Sequence, residues 1–341
     1  MFCQISLHAA WSGRFKVMLG LQKHMKLGEI YRMIVELGID ADPRGKEKVN
    51  KVLEKSKSKL EKLTGKKKEL ADKDVAWNPY TDCRLLYGEP EREINSVLAG
   101  IDITPGEIAL ADILESKGSK IDLVFAHHPH GIGTSNLDFV MKLQPEQWAT
   151  FGVPIAQAES AMAPRLKEVH LATKPSNHTQ TIDAARLIDM AFLCAHTPAD
   201  SMGYQYLMSY LKDKEPDTLG DLVETLLEIP EYQEAEKVGA GPEIIVGSEA
   251  GSVGEKFVFF TGGTSPGPKA IKVLARAGIS TIITMHMAEN LKKECEEEGL
   301  YVVIAGHDSS DSIGMNLILD ELEKRGLKTY TCSGLFRHKR I

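Results

Sequence analysis

Four apolar runs in this sequence end in histidine. VFAHHPH places His127 and His128, FLCAHTPAD places His196, IITMH places His286 and VIAGHDSSD places His307. Two of these histidines have an aspartate four residues on, His196 with Asp200 and His307 with Asp311. Imidazole and carboxylate together suit borderline divalent metals such as Zn, Fe, Mn or Co. A carboxylate shared by two cations lets them sit roughly 3.5–4 Å apart. Successive side chains on a strand face opposite ways. At a strand end the chain is already turning, and Pro129 keeps His128 out of the helical region, so the adjacent rings can reach two different ions. A lone histidine at a strand end is more often a hydrogen-bonded structural residue. The joint pattern of His127, His128, Asp200, His307 and Asp311 is what favours a two-metal site.

Such ligands meet only if the strands that carry them lie side by side. In open α/β sheets, ligands bind outside the carboxyl ends of the strands. From residue 94 onward short apolar runs alternate with helical patterns, the texture of an α/β fold with mainly parallel sheets. Strands are expected at 94–103, 121–126, 153–158, 190–195, 243–247, 256–262, 280–285, 301–306 and 327–332. Helices are expected at 106–117, 180–189, 219–228, 267–277, 287–298 and 312–325. Residues 1–90 read instead as a helical, Lys-rich N-terminal extension. Ile30, Met33, Ile34 and Leu37 recur at helical spacing, and Val49, Leu53, Leu60, Leu63 and Leu70 stand among lysines near heptad positions. This arm is either a basic surface for phosphate or an acidic partner, or a solvated helix laying its leucine stripe on the body. The remainder divides into a metal-binding α/β lobe, 91–235 plus 300–341, and a second α/β lobe, 236–299, with the metals in the cleft between them.

Composition narrows the class. The 341 residues are 43% hydrophobic and 26% charged, as in a globular protein with a substantial core. A net charge of -7 excludes chain-wide affinity for nucleic acid, leaving only the lysine arm as a local exception. The five cysteines are scattered and nowhere form CxxC, so neither a disulfide framework nor a thiolate zinc site is indicated, and reduced thiols in the cytoplasm are expected. No apolar run reaches the roughly 18 residues of a membrane span. The first residues lack the layout of a secretory signal. The smoother sequence from Met25 leaves two readings of the start, translation from Met1 or from Met25.

LVFAHHPHG, AHTPAD and VIAGHDSSD resemble the signature segments of the Nif-three-like family, dinuclear-metal proteins often described as GTP cyclohydrolase I type 2 homologs. IDIT at 101–104, FFTGGTSPG at 259–267 and the final GMNLILDELEKRG extend the resemblance over residues 94–341. It implies a two-lobed α/β subunit in which His127 and His307 hold one metal, His128 and Asp200 the other, and Asp311 bridges them where the family usually has glutamate. It also implies two divalent metal ions per chain, a toroidal homo-hexamer with the metals facing an inner cavity, and a metal-dependent hydrolase. The family description points to a small-molecule substrate of the purine nucleotide class.

Other residues carry two readings each. TGGTSPG follows a strand and precedes a helix, so its N–H groups would cradle a phosphate or simply make the turn. His196 and His286 are candidates for the acid/base groups of a hydrolase. Asp102 would orient a metal-bound histidine or cap the helix that starts at TPGE. His130, His170 and His178 read as structural. The alternative to an enzyme is a non-catalytic metal-binding protein with a regulatory or interaction role, and an open coordination position separates the two.

Overall fold

The computed structural model describes residues 24–254, 257–259 and 263–341. The segment on which the choice between Met1 and Met25 turns, residues 1–23, lies outside them. In chain order the elements that frame the site begin with α1 (Leu27–Ala41), α2 (Lys46–Glu61), β1 (Cys83–Tyr87), β2 (Ser96–Gly100), α3 (Pro105–Ser116) and β3 (Leu123–Ala126). They continue with α4 (Ile155–Thr173), β4 (Ala191–Ala195), α5 (Thr197–Lys214), β5 (Glu243–Val246), β6 (Phe257–Phe259) and α6 (Pro268–Arg276). The last are β7 (Thr281–Thr284), α7 (Glu289–Glu298), β8 (Tyr301–Ile304), α8 (His307–Lys324) and β9 (Lys328–Cys332).

Among the described residues two larger sheets form, as an α/β chain with mainly parallel pairing should, beside a two-stranded antiparallel pairing of Met25–Lys26 with Glu93–Ile94. The first runs β9-β2-β3-β4-β1 and is parallel except for β1, which lies antiparallel to β4 along its edge. The second runs β5-β8-β7-β6 and is parallel except for β5. Both faces of the first sheet are covered, which is why its inner strands are unbroken apolar runs. Val97, Leu123, Phe125 and Leu193 enter one cluster with α1 and α8, while Leu98, Val124, Phe192 and Cys194 enter another beneath α3. The second sheet alternates likewise, Ile282 and Val302 facing α4, α6 and α7, and Ile283 and Val303 facing the side of α5.

Several elements depart from the sequence reading. Residues 153–158, expected as a strand, turn into α4 after Pro154, because Ala158, Ala161, Met162 and Val169 recur at helical spacing and bury themselves. β1 was not foreseen, since CRLLY is short and carries a buried arginine, Arg84. α1 and β1 fall inside the segment expected as an extension, yet Leu27, Ile30 and Ile34 belong to the main core. The lysine helix α2 is looser, burying Val49. β8 joins the second sheet, so the chain crosses back after residue 304 rather than at 300. The last long helix starts at His307 and not near 312. No helix among the described residues is long and apolar enough to cross a membrane.

α5 and α8 cross unusually closely, and glycine allows it. A Cβ on Gly314 would come within 2.0 Å of the Ala199 carbonyl oxygen, and one on Gly203 would stand 3.4 Å from the Gly314 nitrogen. Asp200 and Asp311 each sit one helical turn before these glycines, so the crossing sets their separation. Gly314→Ala should therefore lower the unfolding free energy by about 3 kcal/mol or more, because a packed backbone must be pushed apart. Urea denaturation measures this, and a variant as stable as the parent would show that the two helices are free to separate.

Candidate metal centre

The carboxyl ends of β3, β4, β7 and β8 meet between the two sheets, and the five predicted ligands converge there. His127 and His128 follow β3, and their backbone N–H groups still bond to the Gly100 and Ile101 carbonyls at 2.9 and 3.1 Å, so the end of β2 fixes their position. Asp200 lies in the first turn of α5. Gly306, with φ 104°, turns the chain from β8 into α8 in a conformation that a side chain would oppose. His307 and Asp311 then share one face of α8, four residues apart.

Asp311 is the centre of the cluster. Its Oδ1 stands 3.3 Å from His127 Nε2, and its Oδ2 stands 3.5 Å from His128 Nε2 and 3.4 Å from His307 Nε2. Asp200 Oδ1 lies 3.5 Å from the same His127 nitrogen. Three triads have ligand atoms mutually within 4.8 Å, and two of them share Asp311: His127 with Asp200 and Asp311, and His128 with His307 and Asp311; the third is His127 with His128 and His196. The two oxygens of Asp311 thus face different triads, the arrangement of a bridging carboxylate, and aspartate is long enough for it. The resemblance implied His127 with His307 and His128 with Asp200; the distances between side chains pair them the other way. His127 groups with Asp200 and His128 with His307, because the buried His127 ring turns inward toward α5 while the His128 ring turns outward toward α8.

The chemistry of this donor set fits a cation. Both ring nitrogens of His127 and both oxygens of Asp311 are buried without a hydrogen bond. Leaving such groups unpaired costs about 1–3 kcal/mol each, and a bound metal removes the cost. The surroundings also orient the rings. His128 Nδ1 lies 2.6 Å from Asp102 Oδ1, which leaves Nε2 facing Asp311. Asp102 therefore orients a histidine, and the helix cap is Thr104, whose hydroxyl accepts from Gly106 N–H.

Electrostatics follow from this packing. Burial acts to raise the Asp311 pKa, but the imidazoles of His127, His128 and His307 hold it well below the usual carboxylate range. Burial acts to lower His196, yet the carboxylates of Asp200 and Asp82 push it up to about 9. Burial acts against protonation of His128 too, and Asp311 raises it nevertheless. His286 is lowered by burial and by its neighbour His307.

Of the two predicted acid/base histidines, His196 stands against the inner triad, its ring centroid 4.8 Å from that of His127. His286 stands on the open side, 5.0 Å from the His307 ring. The glycine loop is partly described: Thr261 and Gly262 lie outside the described residues. The carbonyls of Thr264 and Ser265 accept from Gln144 and Arg165 side chains. His130 packs on Phe192, and burial brings its pKa down to about 4. His170 lies 3.4 Å from Asp138, and both stand apart from the cluster. The residue that sequence reasoning missed is Asp82, fully buried before β1 and 3.0 Å from His196 Nδ1. Its only sequence signal was a lone aspartate in a turn-rich segment.

Comparison with solved structures finds the same arrangement of elements. A NIF3 superfamily protein from Sphaerobacter thermophilus superposes with a TM-score of 0.70 at 25% identity, over 89% of this chain and 98% of that one. Reduced HcgD from Methanocaldococcus jannaschii superposes with a TM-score of 0.51 at 15% identity, over 90% and 98%, a likeness of fold. No family model and no curated protein matches the sequence.

Asp311→Ala should empty both metal positions and His128→Ala mainly one, as measured by metal analysis after dialysis; full occupancy in both variants would refute the assignment. Asp102→Asn should weaken metal binding roughly 10- to 100-fold. In metal-free protein the raised His196 pKa contributes stability that is complete below about pH 6.5 and lost as the pH rises through about 9. The melting temperature of chelator-treated protein should fall across that window; a flat profile would remove His196 from the charged groups of the folded state.

Proposed function

The chain belongs to the NIF3 superfamily, and on that premise we propose that it holds two divalent metal ions and acts as a metal-dependent hydrolase on a small molecule. The observation that carries the proposal is the count of protein groups. The two triads that share Asp311 each supply three donors. Three protein ligands are what catalytic sites use when a position stays open for water or substrate, whereas structural sites close the shell with a fourth. The residue types favour Zn, Fe, Mn or Co.

When bound, such ions polarise a water and the bond it attacks. The chain's own residues do the rest. Asp311, Asp200 and His127 form the buried floor of the site, while His128 and His307 form its more exposed wall. Substrate therefore enters past His307 and His286. The lowered pKa of His286 leaves its ring neutral near pH 7, ready to take a proton from the attacking water and return it to the leaving group. Asp102 keeps His128 from rotating during this sequence.

A nucleotide substrate, a homo-hexamer and a cytoplasmic location complete the proposal. The family description supports the first two. The third is supported by the described cysteines, Cys83, Cys194, Cys295 and Cys332, all of which are free thiols.

Protein expressed in metal-replete medium should carry close to two transition-metal ions per chain. Metal-loaded protein should hydrolyse at least one member of a panel of nucleotides, phosphoesters and cyclic amides, and Asp200→Ala should lose that activity at least 100-fold. Activity that survives in Asp200→Ala is contamination. A metal-loaded chain inert toward the whole panel, with no exchangeable water on its ions, favours the non-catalytic reading.

A further inference from the structure

We propose that His196 is itself a metal ligand and that Asp82 is the residue that positions it. The inference rests on the two-ion reading and adds a sixth protein ligand to the five that the resemblance implied. His196 leaves the end of β4 as the residue before α5 and is 7% exposed. Asp82 reaches it from the turn before β1 and is fully buried. One oxygen of that carboxylate, Oδ2, accepts from Thr197 Oγ1 at 2.7 Å and from Thr197 N–H at 3.3 Å, and it faces His196 Nδ1 at 3.0 Å. The carboxylate is therefore anchored by two bonds from Thr197 before it meets the imidazole.

With Nδ1 committed to Asp82, the lone pair of the metal-binding tautomer lies on Nε2. That nitrogen makes no hydrogen bond among the described residues; its nearest acidic atom is Asp200 Oδ2, at 3.9 Å. A ring nitrogen from each of His127, His128 and His196 falls within 4.8 Å of the others. Small side-chain rotations would bring such atoms to the roughly 2.0–2.1 Å of a metal–imidazole bond. The parallel with His128 is close: in each case an aspartate holds Nδ1 and Nε2 faces the cluster. Metal-ligating histidines almost always give their other ring N–H to such a partner. A histidine kept only for packing would have no need of a fully buried carboxylate whose second oxygen, Oδ1, makes no hydrogen bond. The ion reached by His127 and Asp200 is the one His196 would join, since it lies beside both; four protein donors would then close that ion's shell, and the open position would belong to the ion held by His128, His307 and Asp311.

Cobalt(II) is a suitable probe, because its visible absorption reports ligand type and number. Cobalt affinity measured by chelator competition, with the spectrum, should be compared in the parent protein, His196→Ala, His196→Gln and Asp82→Asn. The expected result is that both His196 variants lose affinity for one of two cobalt ions at least tenfold with a changed visible band, the second ion being unaffected. Asp82→Asn should weaken the same ion roughly 10- to 100-fold. X-ray absorption of the zinc-loaded parent should count four imidazoles for two ions rather than three. Unchanged affinities and an unchanged cobalt spectrum in a folded His196 variant overturn the inference while leaving the two-ion reading intact. A parent protein that binds no cobalt overturns both. Asp82→Asn and the imidazole count decide the matter if neither His196 variant folds.

Discussion

One buried carboxylate organises this protein. Asp311 is 2% exposed and faces the imidazoles of His127, His128 and His307 within 3.5 Å. An ionised carboxylate so far from water is tolerated only when positive charge surrounds it. The protein must therefore deliver positive charge from several directions to one point. Each of the three histidines comes from a strand end, two from the first sheet and one from the second, so both sheets must be in place before the carboxylate is satisfied. The Gly203–Gly314 contact sets the distance from the other side, holding Asp311 and Asp200 close across α5 and α8.

The architecture makes that delivery cheap in design terms. Parallel strands send all their carboxyl ends the same way, so residues that follow them gather without long loops. β2 supplies Asp102, β3 supplies His127 and His128, and β4 supplies His196. The second sheet repeats the device with His286 after β7 and His307 after β8. Burial grades the result: His127, Asp200, Asp311 and His196 are enclosed, whereas His286 and His307 reach solvent. A site closed on one side and open on the other can retain ions and still admit a reactant.

The histidines of the cluster were legible in the sequence because a histidine directly after a buried apolar run is a position defined by the run itself. Which side chains lie nearest one another was not. Spacing along the chain does not say which way a ring turns after the strand pleat ends, and the inward turn of His127 toward Asp200 depends on α5, which the sequence reading left undrawn. The strand β1 and with it Asp82 were invisible for a related reason. An antiparallel edge strand of five residues with Arg84 buried in it has neither the length nor the pattern of the inner strands. The run at 153–158 failed in the opposite way. Its apolar residues suited a strand, but its continuation through Met162 and Val169 at helical spacing decided the outcome. Short apolar windows cannot tell a buried strand from the first turns of a buried helix.

Charge balance joins these observations. Asp82, Asp102, Asp200 and Asp311 surround His127, His128, His196 and His307, and the carboxylates at Asp311 and Asp82 are buried. Without metal, the cluster draws protons onto imidazole, which is why His128 and His196 are both raised. Metal binding would need those same nitrogens bare, so an ion taken up there would expel protons from the site. Protons and metal are thus alternative ways of neutralising one set of buried carboxylates. On the two-ion reading, only the metal-loaded state would leave the open face, at His307 and His286, with ions able to act on a substrate.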